Sequence, residues 1–332
     1  MKKSILAALA GTPVSPPPIW LMRQAGRHLP EYRCLRQQTA GFLNLVCSPA
    51  QACEVTLQPV RRYGMDGSIL FSDILVVPWA LGQDLSFQEG EGPCLGPLPA
   101  LAPDQELDLS RLAPIYETLR RLTVELAGTQ VTQLGFVGAP WTVATYMIEG
   151  RKPSFQKSRD FLETNLAEPL FKTLIRATIS YAQGQIAAGA EVIKIFDSWA
   201  SELSGDDLLR WSVDPMIEIA EALTPTPVIF FPRNQHNVLK YLQKNYRKPF
   251  GFALGETANL LEVQDLADPL VCLQGNLSPE ILLGPEALQE QGVATLLRQV
   301  QGRPHIVNLG HGVDKSTDPA RVQALVDQVK AG

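Results

Sequence analysis

Two arginines four residues apart, Arg23 and Arg27, bracket Gly26 in the stretch IWLMRQAGRHLPEYR, which runs from Ile19 to Arg33. Four apolar residues lead straight into the first of them. Gly26 and Pro30 prevent one regular helix from covering the whole run. Guanidiniums are planar forks that grip carboxylates or phosphates through two parallel hydrogen bonds. Such a pair at the end of a short apolar strand suits an anionic ligand, with the backbone of Gln24, Ala25 and Gly26 lining the same edge. Further along, Asp73 follows the strand-like SILF, and Tyr146 lies in GAPWTVATYMIEG. Ser198 follows the apolar VIKIF and Asp197, and His311 stands between Gly310 and Gly312 in NLGHG. A carboxylate, a phenol, a hydroxyl and an imidazole, each just past an apolar run, make a plausible polar constellation.

The elements that must position these residues follow from periodicity. Eight short apolar runs recur: Ile19–Met22, Ser68–Phe71, Leu134–Gly138, Val192–Phe196, Val228–Phe231, Phe250–Leu254, Leu270–Gln274 and His305–Leu309. Between them lie helix-like segments, among them Pro49–Tyr63, Ser110–Leu126, Pro169–Ala188, Asp206–Leu223, Pro285–Gln301 and Pro319–Lys330. Asp318 is placed to cap the last of these, with Pro319 in its first turn. Eight alternations of strand and helix predict a single α/β domain of the (β/α)8 TIM-barrel type over residues 18–332, with a doubly wound sheet as the runner-up. In such a barrel, functional residues cluster at the carboxyl ends of the strands. Arg23 and Arg27, Asp73, Tyr146, Ser198 and His311 all fall there, and Trp141 is expected over the mouth beside Tyr146. Asp197, next to Ser198, should face the opposite side of its strand and serve structure.

Composition narrows the function. The 332 residues are 45% hydrophobic and 19% charged, with a net charge of −5. An acidic chain with one local arginine cluster argues against a general nucleic-acid binder and for a small anionic ligand. The five cysteines form no CxxC pair and no His-x-Cys pair, so they read as reduced thiols with no metal site. Residues 1–17 read as a frayed tail: the apolar run Ile5–Ala10 is short of the roughly seven residues at which signal-peptide cores begin. No apolar run approaches the roughly twenty residues of a membrane helix, and a cytoplasmic protein is expected. The glycines of GEGPCLGP, Gly90 to Pro97, follow no strand–helix pair and read as a loop rather than a dinucleotide fingerprint.

Five motifs, PIWLMRQAGRHLPEYR, ILFSDIL, GFVGAPWTVATYMIEG, IFDSWA and NLGHGV, occur in this order and together resemble the uroporphyrinogen decarboxylase family of haem and chlorophyll biosynthesis. The resemblance implies a homodimeric, cofactor-free carboxy-lyase on one (β/α)8 barrel. Its substrate would be uroporphyrinogen III, whose four acetates become methyl groups to give coproporphyrinogen III. It also implies that Arg23 and Arg27 hold carboxylates, that Asp73 is the central catalytic group, with Arg23 and Tyr146 beside it, and that Ser198 and His311 contact the macrocycle. The chain departs from the family pattern at His28, Ser201, Ser278 and within FALGETANL. Two rivals differ in what they need: a corrinoid-linked methyltransferase would use His and Cys zinc ligands, and a non-catalytic porphyrinogen carrier could dispense with Asp73 and Tyr146.

Overall fold

The computed structural model describes residues 2–332 except 89–91, 101, 103 and 152. Nine strands are present among them: β1 Gly67–Ile69, β2 Leu85–Gln88, β3 Gly92–Leu95, β4 Thr132–Gly138, β5 Val192–Asp197, β6 Val228–Pro232, β7 Phe250–Ala253, β8 Cys272–Leu277 and β9 His305–Leu309. Seven pair in parallel in the order β1-β4-β5-β6-β7-β8-β9, and β2 pairs with β3 as a separate antiparallel hairpin. Helices cover the outside of the parallel sheet, and the fold is a (β/α)8 TIM-type barrel.

The eighth position is held by the first apolar run. Ile19–Met22 forms no full strand but a single parallel bridge, Ile19 to Val307. The Val307 N–H donates to the Pro18 carbonyl at 2.8 Å, and the Trp20 N–H to the Val307 carbonyl at 3.3 Å. On the other flank the Asp66 N–H donates to the Ile19 carbonyl at 2.9 Å, and the Ile19 N–H to Asp66 Oδ2 at 2.8 Å. The ladder stops there because Gln24 takes over the next groups: its Oε1 accepts from the Leu21 N–H at 3.0 Å while its own N–H bonds the Leu21 carbonyl. A side chain that offers the backbone a local partner competes with strand pairing.

Other boundaries shift for equally local reasons. The run expected to begin at Leu270 pairs only from Cys272, since Leu270 is 68% exposed in a turn whose N–H bonds Asp268 Oδ1. The helix expected over Asp206–Leu223 is split into Gly205–Leu208, a π-turn Leu209–Val213 and Asp214–Ala222. Pro215 lacks the N–H that a continuous α-ladder needs, and the wider turn absorbs that loss. Part of the Gly90–Pro97 loop lies outside the described residues, but Gly92–Leu95 is a strand. Pro93 disguised it: proline is tolerated at the edge of a two-stranded ribbon, where it faces no second neighbour.

The segment read as a frayed tail is instead a plug. Ser4–Leu9 is a short helix with Ile5, Ala8 and Leu9 buried under the amino-terminal end of the barrel. Glycines make room for it: a Cβ on Gly251 would lie 2.8 Å from Leu9 Cδ2, and one on Gly67 3.0 Å from Ile5 Cδ1. Inside the barrel, Trp20, Leu134, Val192, Ile229, Phe231 and Ile306 close the apolar axis above this plug.

Candidate active site

At the opposite end of the barrel the chain turns sharply after Met22, and Arg23 sits in the left-handed region at φ +62°. A non-glycine residue there is strained, at about 1–3 kcal/mol, and such strain concentrates at functional sites. The cause is visible in its neighbour. Gly312 packs directly on the Arg23 side chain, and a Cβ on it would lie 2.4 Å from Arg23 Cδ and 2.8 Å from Cγ. Gly310 plays the same part toward β7, where a Cβ would lie 2.1 Å from the Glu256 nitrogen. The two glycines around His311 thus let β9, the Arg23 turn and the loop after β7 converge on one mouth.

Arg23 is the electrostatic hub of that mouth. Burial dominates the pKa values of Asp73, Tyr146 and His311, and the positive charge of Arg23 acts on all three in the lowering direction. Asp73 is half-buried. Burial raises its carboxyl pKa, opposed by the Leu75 N–H bonded to Oδ1 at 2.8 Å and then by Arg23. Burial also raises Tyr146, and the negative charge of Asp73 raises it further. For His311, burial lowers the pKa first, with Arg233 and Arg23 adding to it.

The other expected site residues divide. Ser198 is half-buried at the end of β5 with no described partner for its hydroxyl. Its neighbour Trp199 packs against Tyr146 at 6.1 Å between ring centroids. Arg23 and Arg27 are both exposed, but the charge of Arg27 reaches Tyr32 and Asp314 rather than Asp73. Arg33 closes the back of the loop, its Nη1 donating to the carbonyls of Arg27 and His28 at 2.8 and 3.1 Å. The N–H groups of Ala25, Gly26 and Arg27 meet no acceptor among the described residues, and successive free N–H groups form an anion-binding concavity. The Gln24 side chain is 1% exposed and turned inward, with Nε2 donating to the Gly67 carbonyl at 2.9 Å. It ties the arginine turn to β1.

Trp141 is corrected. It is completely buried, with Nε1 donating to the Trp199 carbonyl at 2.8 Å. The helix Pro140–Glu149 starts at once after β4, and residues five apart on a helix point about 140° away from each other. Only Tyr146 can face the mouth. Asp197 points to the helix layer, where Oδ2 accepts from Ser212 Oγ at 2.6 Å and Oδ1 from Thr142 Oγ1. Burial lifts its pKa to about 6. The π-turn before Asp214 carries Ser212 to that bond.

The family model described as uroporphyrinogen decarboxylase matches residues 1–332. Among curated proteins, the uroporphyrinogen decarboxylase of Rhodospirillum rubrum is 44% identical over 341 residues, covering 99% of this chain and 97% of that one. That of Gluconobacter oxydans is 43% identical over 342 residues, covering 99% and 96%. The chain belongs to the uroporphyrinogen decarboxylase family. It is a carboxy-lyase on a barrel that the family shares with more distant proteins. A methyltransferase from Methanosarcina mazei superposes with a TM-score of 0.79 at 21% identity, over 99% of this chain and 98% of that one, which is a likeness of fold.

Of the three single positions that depart from the uroporphyrinogen decarboxylase pattern, His28 alone is buried. His28 is 2% exposed and stacks on Tyr63 at 6.4 Å, and burial lowers its pKa to about 4. Ser278 caps the turn Pro279–Leu282, accepting from the Glu280 N–H at 3.3 Å. Ser201 is exposed. Glu256, in the divergent FALGETANL stretch, stands in the mouth with Arg233 and His311. Neither Arg233 nor Glu256 draws a task from the sequence, since nothing in their spacing links residues on different strands. Gly312→Ala should displace Arg23 without unfolding the barrel. We expect a loss of about 10- to 100-fold in kcat/KM at a nearly unchanged Tm; unchanged kinetics would show that Arg23 tolerates the shift.

Proposed function

We propose that this chain decarboxylates uroporphyrinogen III to coproporphyrinogen III without a cofactor, converting four ring acetates to methyl groups. The observation that carries the reading is the mouth where Gly312 packs on the Arg23 side chain and Gly310 on the Glu256 backbone, bringing the arginine turn, His311 and the loop after β7 together within reach of the Asp73 charge. Each step consumes one proton and releases one carbon dioxide. A pyrrole protonated on a ring carbon is a cation, and it accepts the electron pair of the breaking bond between the acetate methylene and its carboxylate. Protonation of the resulting exocyclic methylene, followed by loss of the ring proton, restores the pyrrole as its methyl derivative.

Each residue has a task in that scheme. Arg23 and Arg27 hold carboxylates at two depths, the inner beside Asp73 and the outer at the rim, with the N–H groups of Ala25 and Gly26 between them. Asp73 faces the pyrrole N–H groups. One of its oxygens is engaged by the Leu75 N–H, which leaves the other oxygen and the remaining lone pair to accept from the macrocycle. Its charge stabilises each pyrrole as it becomes cationic, in a setting of reduced dielectric. Tyr146, Ser198 and His311 contribute hydrogen bonds from three strand ends. A two-fold homodimer in the cytoplasm belongs to the same reading.

The deciding experiment incubates the purified chain with uroporphyrinogen III and follows the stepwise loss of carboxylates by chromatography. Ordered appearance of species with seven, six, five and four carboxylates supports the reading, and an unchanged octacarboxylate would refute it. Arg23→Ala and Arg27→Ala test the carboxylate roles. We expect KM to rise or kcat to fall by about tenfold or more for Arg23, with a smaller effect at Arg27, whose charge does not reach Asp73. Normal kinetics in both variants would remove them from the site.

A further inference from the structure

A third guanidinium stands in the mouth. Arg233 follows β6, and its N–H donates to the Asp197 carbonyl at 3.1 Å, which holds it beside the strand end that carries Ser198. On its other side Nη2 lies 3.5 Å from Glu256 Oε1, with the two side chains 24% and 30% exposed. That distance is too long for a good hydrogen bond. Both partners are left wanting: Arg233 Nε and Glu256 Oε2 are shielded from water and have no partner among the described residues. An ion pair built for stability closes fully, as Arg62 and Glu31 do in this molecule with two bonds of 2.7 and 2.8 Å even at the surface. Buried polar atoms without partners are uncommon in finished structures and call for an explanation. The remaining charged and titratable groups facing the pair are Arg23 and His311.

We infer that Arg233 is a substrate-binding residue that takes a carboxylate side chain of the macrocycle, and that Glu256 is its placeholder in the empty site. The arriving carboxylate completes the fork that Glu256 satisfies only in part. Glu256 therefore competes with substrate, and its presence sets how strongly a carboxylate must bind to displace it. The inference rests on the proposed function for the identity of the ligand. It adds Arg233 as a further anchor, on the side of the mouth bounded by β6 and β7.

Steady-state kinetics with uroporphyrinogen III and calorimetric titration with coproporphyrinogen III, on the full chain, test this directly. Arg233→Gln is expected to raise KM roughly tenfold or more while kcat changes much less. Glu256→Gln is expected to lower KM, because the competitor loses its charge, and Arg233→Lys should recover part of the loss. In the double variant the effect of Arg233→Gln should dominate. A purely structural pair predicts the opposite for Glu256→Gln: a raised KM together with a lowered Tm. That outcome, or an unchanged KM in Arg233→Gln, overturns the inference while wild-type turnover leaves the function standing. Wild type that turns over nothing would instead remove the function, and the titration then judges Arg233 alone: equal affinity for the tetracarboxylate in wild type and Arg233→Gln overturns its role.

Discussion

Asp73→Asn is expected to lower kcat by about 10²–10³-fold while leaving the protein at least as stable. Asparagine keeps the shape and one acceptor oxygen, so the turn closed by the Leu75 N–H survives. What disappears is the negative charge. In the folded chain that charge is held at a disadvantage, because burial raises the Asp73 pKa more than the Leu75 bond and Arg23 lower it. A carboxylate whose folded pKa is raised weakens the fold at pH values above its unfolded pKa, and the penalty is relieved on protonation. Removing the charge should therefore leave Tm at pH 7–8 unchanged or higher. This is the trade between stability and activity expected where a site is built for a transition state. The same displacement should appear kinetically, with the acid limb of kcat/KM above the ordinary aspartate value of about 3.9. Asp73→Glu keeps the charge at a shifted position and should lose less. Near-normal turnover by Asp73→Asn would reduce Asp73 to a turn residue.

Much of this architecture was legible because its signals are local. The short apolar run HIVNL marks β9 from His305 to Leu309, and a helix begins at Pro49 and ends at Tyr63 before Gly64, as its pattern implies. Asp318 caps the last helix through the Ala320 N–H at 2.9 Å. The misreadings were failures of non-local information. Ser4–Leu9 is too short to register as a helix, and only the barrel end that buries Ile5 and Leu9 makes it one. The Ile19 run looks like a strand, yet Gln24 diverts its hydrogen bonds after one bridge. Trp141 and Tyr146 share a motif but not a helix face. In the site, the candidates Arg23, Asp73, Tyr146, Ser198 and His311 each stand within a recognisable motif. Arg233 and Glu256 were not given roles, because their relation exists only across two strand ends. Gly312 appeared as a flank of His311, whereas its packing fixes Arg23.

Lys194 bears on the cost of building this barrel. In the apolar alternation VIKIF the period of two puts Lys194 on the inner face with Val192 and Phe196, and the side chain is fully buried. Its Nζ lies over the rings of Trp20, Phe196 and Phe231, at 5.1, 4.8 and 4.6 Å from their centroids. Aromatic faces attract an ammonium, but they replace only part of its lost hydration. Among the described residues no carboxylate offsets the burial, which lowers the Lys194 pKa from 10.5 to about 7. A lysine with a depressed folded pKa destabilises the protein while the unfolded chain still binds its proton, and stability recovers as pH rises from about 7 toward 10.5. Lys194→Met, of similar length and without charge, should therefore stabilise the fold at pH 7, with an upper bound on the order of 5 kcal/mol. Denaturant unfolding of both proteins between pH 7 and 8.5 should show wild type gaining up to about 1.4 kcal/mol per pH unit relative to the variant. That window stays below the range in which the buried thiols of Cys53 and Cys272, whose pKa values burial raises, contribute a slope of opposite sign. Because those thiols are common to both proteins, the difference between the two curves isolates Lys194. Parallel curves would mean that the three rings, or water reaching the ammonium, solvate it as well as bulk water does.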